Sequence, residues 1–130
     1  TYAQGGAPQQ ALAGWMERSG FRDGCPITTI LLELAPAETA VTAAGQAAFD
    51  SWTAIFAAAL TASGVRPGQA RALSVTAIAA FEGALILART AGSVRPIEEV
   101  TAEMARLFEL TAAPQFEMFP LMDAGGAGQA

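Results

Sequence analysis

The chain reads as an all-α protein, a helical bundle of about five main helices in one domain. Three observations predict this. Alanine is abundant while alternating β-branched runs are scarce, which favours helix over strand. Proline and glycine bracket long segments and rarely interrupt them. Within those segments apolar residues return every three or four positions, the spacing of one face of a helix. At 130 residues the chain is long enough to bury a core without disulfides or a structural metal.

The first helix is expected over about Pro8 to Ser19, with Pro8 at its opening and Leu12, Trp15 and Met16 on one face. Gly20 and Gly24 bracket the loop that follows. The second runs from about Pro26 to Ala35 on Ile27, Ile30, Leu31 and Leu34; its Ile27 to Ile30 run also suits a strand, but no partner strand is evident. The third, from about Pro36 to Ser63, carries Val41, Ala44, Ala48, Phe49, Trp52, Ile55, Phe56, Ala59 and Leu60 on one stripe, and Gly64 stops it. The fourth spans about Pro67 to Ala91, with proline at its start and Gly92 at its end. The fifth covers about Pro96 to Ala112, with Glu98 and Glu99 in the first turn, where the helix dipole favours acids, and Ile97, Val100, Met104, Leu107 and Phe108 as its apolar stripe. Residues 8–112 thus form the helical domain. Residues 113–130 form a C-terminal tail in which Phe116, Met118, Phe119, Leu121 and Met122 are expected to pack back, with a frayed end.

Composition narrows the chemistry. There is no histidine, all seven basic residues are arginine, and twelve acidic residues bring the net charge to −5. The usual general base, Schiff-base lysine and zinc ligand sets are therefore missing, and no cofactor is called for. A di-iron carboxylate bundle would need Glu-x-x-His pairs that the chain cannot supply. Without a basic stripe, nucleic acid is a poor direct partner. Cys25, the single cysteine, has no internal disulfide partner, which suits a reducing compartment, and it reads more readily as a small hydrophobe than as a redox sensor. The longest charge-free apolar stretch, Ser51 to Val65, falls short of the roughly 18 to 20 residues that span a bilayer, so no membrane partner is expected and the location is taken as cytoplasmic.

The fourth helix is apolar on two sides. Leu73, Ala77, Phe81, Ala84 and Ala88 form one side; Val75, Ile78, Leu85 and Ile86 lie opposite or adjacent. Only Arg71, Glu82 and Arg89 interrupt it. A helix with no fully wet side suggests a second copy covering part of it. Arg71, Val75, Ile78, Glu82, Leu85 and Arg89 follow the 4,3,4,3,4 spacing of a packed seam, and Met104 and Phe108 on the fifth helix would complete the interface. The bland alternative is a solvated strip. Glu82 has no basic residue three or four positions away, so its partner lies off its own helix: an arginine of a second copy, another structural ion pair, or a cationic ligand.

The stretches Gly24-Cys25-Pro26, Leu32-Glu33-Leu34, Phe49/Trp52 with Leu60, and Phe81-Glu82-Gly83-Ala84-Leu85-Ile86-Leu87-Ala88-Arg89 resemble the C-terminal regulatory domain of TetR-family transcriptional repressors, in the branch that answers to drugs and plant-type phenolics. The resemblance covers about Leu12 to Leu110. It implies an all-helical domain that binds a small effector in each protomer and forms a homodimer through its last two long helices. It further implies an N-terminal helix-turn-helix that reads DNA. Thr1 to Ala7 is too short and glycine-rich to be a recognition helix, so the chain is either a fragment of a regulator, the favoured reading, or a stand-alone descendant that lost its reading head.

For the effector pocket the candidates are Trp15, Met16, Phe49, Trp52, Phe56 and Phe81, large side chains set among alanines, with Phe49, Trp52 and Phe81 carrying most weight because they come from the two long helices. Met104 would add an adaptable wall, and polar handles are available from Thr28, Thr29, Ser51, Thr53 or Glu33. Each aromatic is also a plausible piece of plain core. The expected function is therefore that of an effector-binding and dimerisation domain for a small, largely apolar or aromatic molecule. A purely structural dimerisation or adaptor module, with a solid core between the third and fourth helices, is the alternative; an enzyme is not expected.

Overall fold

A computed structural model describes residues 8–112 as five helices: α1 (Pro8–Arg18), α2 (Pro26–Leu34), α3 (Thr39–Ala62), α4 (Pro67–Ala91) and α5 (Arg95–Ala112). The protein is all-α, as its alanine content and its Pro and Gly punctuation dictate. The tail contacts expected of Phe116 to Met122 lie outside the described residues. Boundaries differ from expectation chiefly at α3, which begins at Thr39 because residues 35–37 form a turn after α2. Proline opens α2 and α4 within the first turn, where its missing N–H has no helical partner to lose. Gly92 closes α4 in the left-handed region at φ 60°, and the Ser93 N–H reaches back to the Ala88 carbonyl, so the last turn is capped by backbone alone.

The helix at the centre is α4. It packs most extensively on α3 and next on α5, while α2 rests on α3 and α1 on α5. Small residues explain the closeness of its contacts: Ala70, Ser74, Ala77, Ala84 and Ala88 are buried along one side. The Ser74 hydroxyl donates to the Ala70 carbonyl at 2.7 Å, so a buried polar side chain is satisfied within its own helix. Two apolar clusters occupy the two ends of α4. Toward its C-terminus, Met16, Ala84, Leu85, Ala88 and Ile97 are buried together, with Trp15, Phe21, Cys25 and Val100 packed around them. Toward its N-terminus, Leu60, Val65 and Ala70 are covered by Leu73, Phe108 and Ala112.

By length and composition alone α4 would also cross a membrane. The charge-free criterion passed over it because Arg71, Glu82 and Arg89 break its apolar run. Within the bundle its alanine face is committed to α3 and α5.

α2 stands apart. None of its residues is buried. It is held against α3 where Leu31 meets Gly45: a Cβ at Gly45 would stand 2.5 Å from one Leu31 methyl and 2.6 Å from the other. A side chain at position 45 would therefore force Leu31 to shift, and it is this proximity, not a special φ, that favours glycine there.

Candidate functional site

The shortness and shallow seating of α2 leave a trough between it, α3 and α4. Its main hollow has a volume of about 370 Å³, open on one side. From α3 the wall is Gln46, Phe49, Asp50 and Thr53; from α4 it is Arg71, Val75, Ile78, Ala79 and Glu82; α2 contributes Thr28. A second hollow of about 290 Å³ continues along α2 and α4, bounded by Cys25, Thr29, Glu33, Leu85, Ile86 and Arg89 among others. Thr28 and Glu82 belong to both walls. They form the partition between the two hollows.

The partition is a hydrogen bond. Thr28 Oγ1 donates to Glu82 Oε2 at 2.7 Å, with both groups part-buried. Among the described residues this is the only side-chain hydrogen bond that joins two helices. The other hydroxyl bonds are local: Thr29, Thr42, Thr53, Thr76, Thr90, Thr101 and Thr111, for example, donate to carbonyls of their own turn. Both ion pairs, Arg95 with Glu99 and Arg106 with Glu103, lie within α5 on the surface. Glu82 therefore finds its partner off its own helix, as its spacing required, but that partner is a neutral hydroxyl. Neither Arg71 nor Arg89 pairs with it. On the facing wall the Asp50 carboxylate accepts a bond from the Gln46 amide at 3.0 Å. The hollow thus offers two carboxylates, the Arg71 guanidinium, the Gln46 amide, one threonine hydroxyl bonded across to Glu82, and a wall of Phe49, Val75 and Ile78.

The expected pocket residues divide. Phe49 lines the main hollow, and Trp52 meets it edge to face with ring centroids 5.4 Å apart, so Trp52 backs the wall at one remove. Trp15 and Met16 belong to the cluster of α1, α4 and α5, with Met16 fully buried. Phe56 and Phe81 are half-buried and line neither hollow. Of the handles, Thr28 and Thr53 border the main hollow, Thr29 and Glu33 the second, and Ser51 neither. The strip expected as a dimer seam faces the trough: Arg71, Val75, Ile78 and Glu82 on the main hollow, Leu85 and Arg89 on the second. Met104 is buried and Phe108 packs on the Leu60 cluster, within the protomer. The large apolar side chains left outward on α4 and α5 include Leu87, 57% exposed, and Leu110, 66% exposed.

Gln46 and Asp50 were not singled out by sequence. A signal was present: Gln46, Phe49, Asp50 and Thr53 stand at i, i+3, i+4 and i+7, one face of α3 on which polar residues replace the alanines around them. The Thr28 and Glu82 contact joins positions 54 residues apart and leaves no local trace.

An all-helical domain built on one long core helix, with a part-polar hollow between helices and no metal-binding cluster among the described residues, is the framework of a regulatory ligand-binding domain. Residues 7–103 match the family described as transcriptional regulator LmrA/YxaF-like, C-terminal domain, and the chain belongs to this group of TetR-type regulator C-terminal domains. Regulators of this family act as DNA-binding homodimers and are typically not enzymes. Its relatives include two uncharacterized HTH-type transcriptional regulators of Mycobacterium tuberculosis, from strains CDC 1551 / Oshkosh and ATCC 25618 / H37Rv, each 33% identical over 92 residues. Each match takes in 67% of this chain and 47% of the relative, so the chain spans about half the length of these proteins. No solved structure matches it.

Proposed function

We propose that this chain supplies the effector-binding and dimerisation part of a TetR-type transcriptional regulator acting in the cytoplasm, and that its effector is a small, largely apolar or aromatic molecule seated in the trough between α2, α3 and α4. The observation that carries this reading is the hollow of about 370 Å³ beside Phe49. Ligand sites in proteins are concave, mostly apolar and furnished with a few polar groups, at volumes of roughly 300 to 1,000 Å³. A solid core between α3 and α4, which a purely structural module requires, is the opposite arrangement.

The mechanism is a shift of populations. α2 buries no residue and is tied to α4 by one side-chain hydrogen bond, so it is the element that a ligand in the trough displaces at least cost. The ligand selects one seating of α2 and α3, and in a full regulator that seating alters the spacing of two DNA-reading heads. A molecule that binds both seatings equally switches nothing. Dimerisation through α4 and α5 completes the proposal, with outward Leu87 and Leu110 supporting it.

Tryptophan fluorescence tests the pocket, because Trp52 touches Phe49 and Trp15 lies in a separate cluster. Quenching by members of an aromatic library, abolished in Trp52→Phe and retained in Trp15→Phe, is the expected result; no response from any member overturns the pocket. Sedimentation at micromolar concentration should show a dimer, and a monomer alone would remove the dimer proposal.

A further inference from the structure

We infer that the trough selects an organic cation, an aromatic or aliphatic body carrying a protonated amine, and that Glu82 is the group that reads the charge. This rests on the effector site proposed above and adds the ligand's charge and its recognising residue.

Glu82 sits in the middle of α4, half-buried, between the two hollows. A carboxylate has about four lone-pair positions, and Thr28 fills one of them. No arginine of the described residues pairs with it. Its neighbours one turn away on α4, Ile78, Ala79, Leu85 and Ile86, carry no side-chain donors, and the arginines of the two walls, Arg71 and Arg89, stand two to three turns away. A carboxylate placed against apolar walls and supplied with one neutral donor is under-compensated, and a cation entering the hollow gives it a charge-assisted bond, roughly twice as strong as a neutral one.

The opposite wall agrees. Asp50 adds a second carboxylate across the hollow, so an amine there lies between two negative groups. The Phe49 ring borders the same hollow, and an aromatic ring attracts a cation brought over it. The opposing charges are more remote. Arg71 and Arg89 are exposed and lie on α4 about 16 Å and 10 Å along the axis from Glu82 at 1.5 Å per residue. Each borders one end of a hollow, and neither forms an ion pair with Glu82. In the main hollow an anion would meet two carboxylates, Glu82 and Asp50, against one guanidinium, Arg71.

Calorimetric titration of the 130-residue chain with three probes of one shape decides the matter: 1-naphthylmethylammonium, the neutral 1-naphthylmethanol and the anionic 1-naphthylacetate. The ammonium should bind at least tenfold tighter than the alcohol, and the acetate weakest. Glu82→Gln should bring the ammonium to the level of the alcohol while changing the alcohol less than twofold, and Asp50→Asn should lower the ammonium preference by a smaller factor. Thr28→Val leaves the charge in place and frees the occupied oxygen, so it should hold or raise ammonium affinity; this variant and the wild-type series decide the matter even where Glu82→Gln loses its helical fold. Equal binding of ammonium and alcohol, a preference that survives Glu82→Gln, or a loss of ammonium affinity in Thr28→Val overturns the inference and leaves the effector site standing. No binding by any of the three at millimolar concentration removes both.

Discussion

The two sides of α4 are built differently. Toward α5 and α1 the helix presents Ala84, Leu85 and Ala88 to Met16 and Ile97 in close apolar packing. Toward α2 it faces two hollows and one hydrogen bond. The first side is rich in alanine, and the second carries Val75, Ile78, Glu82, Ile86 and Arg89. The partners differ as well: α1 and α5 bring side chains that reach fully into the alanine face, whereas α2 is nine residues long and buries none of them. Small residues make a tight core where the opposing helix supplies the volume.

That contrast can be broken from either side. The largest effect is expected at the tight side: Met16→Ala empties a fully buried position and should cost about 2 to 5 kcal/mol, read as a large drop in the thermal midpoint. Next comes Gly45→Ala. On an open helix face this change stabilises by up to about 1 kcal/mol, so a loss of roughly 1 to 3 kcal/mol instead is the signature of the Leu31 collision, with hydrogen exchange accelerated across α2. Combining it with Leu31→Ala should recover part of the loss. Thr28→Val removes the one cross-helix hydrogen bond and should cost about 1 kcal/mol, again with faster exchange confined to α2 and little change in α5. The smallest effect belongs to Arg95→Ala, which deletes a pair whose side chains are 79% and 59% exposed and should move stability by less than about 0.5 kcal/mol. If Thr28→Val loosened α5 as much as α2, the two sides would be one cooperative unit and the distinction would fail.

Much of the architecture was legible in the residues because helix signals are local. Pro67 and Gly92 bound α4 where the punctuation places them, and the stripe of α5 from Ile97 to Met104 is its buried face. The start of α3 was read three residues early because Pro36 is as good a turn residue as a helix opener. The site was less legible, and the reason is geometric. A seven-residue spacing such as Val75, Ile78, Glu82 and Leu85 says that these side chains share a face, but not whether a second chain or a hollow of the same chain lies opposite. Likewise Phe49 and Phe81 are equally large, and only the placement of α2 decides that the first borders empty space. Asp50 escaped notice because a single acid on a long helix looks like solvent-facing decoration until the opposite wall is known.

Among the described residues every ion pair, and every side-chain hydrogen bond but one, stays within its own stretch of chain, so the helices adhere to one another by shape alone. Contacts of that kind have no preferred direction and tolerate small slides, much as greased surfaces do. The Thr28 tie is the single peg in that joint, and a molecule that lifts it sets one short rod free to creep along its neighbours while the rest of the assembly keeps its form.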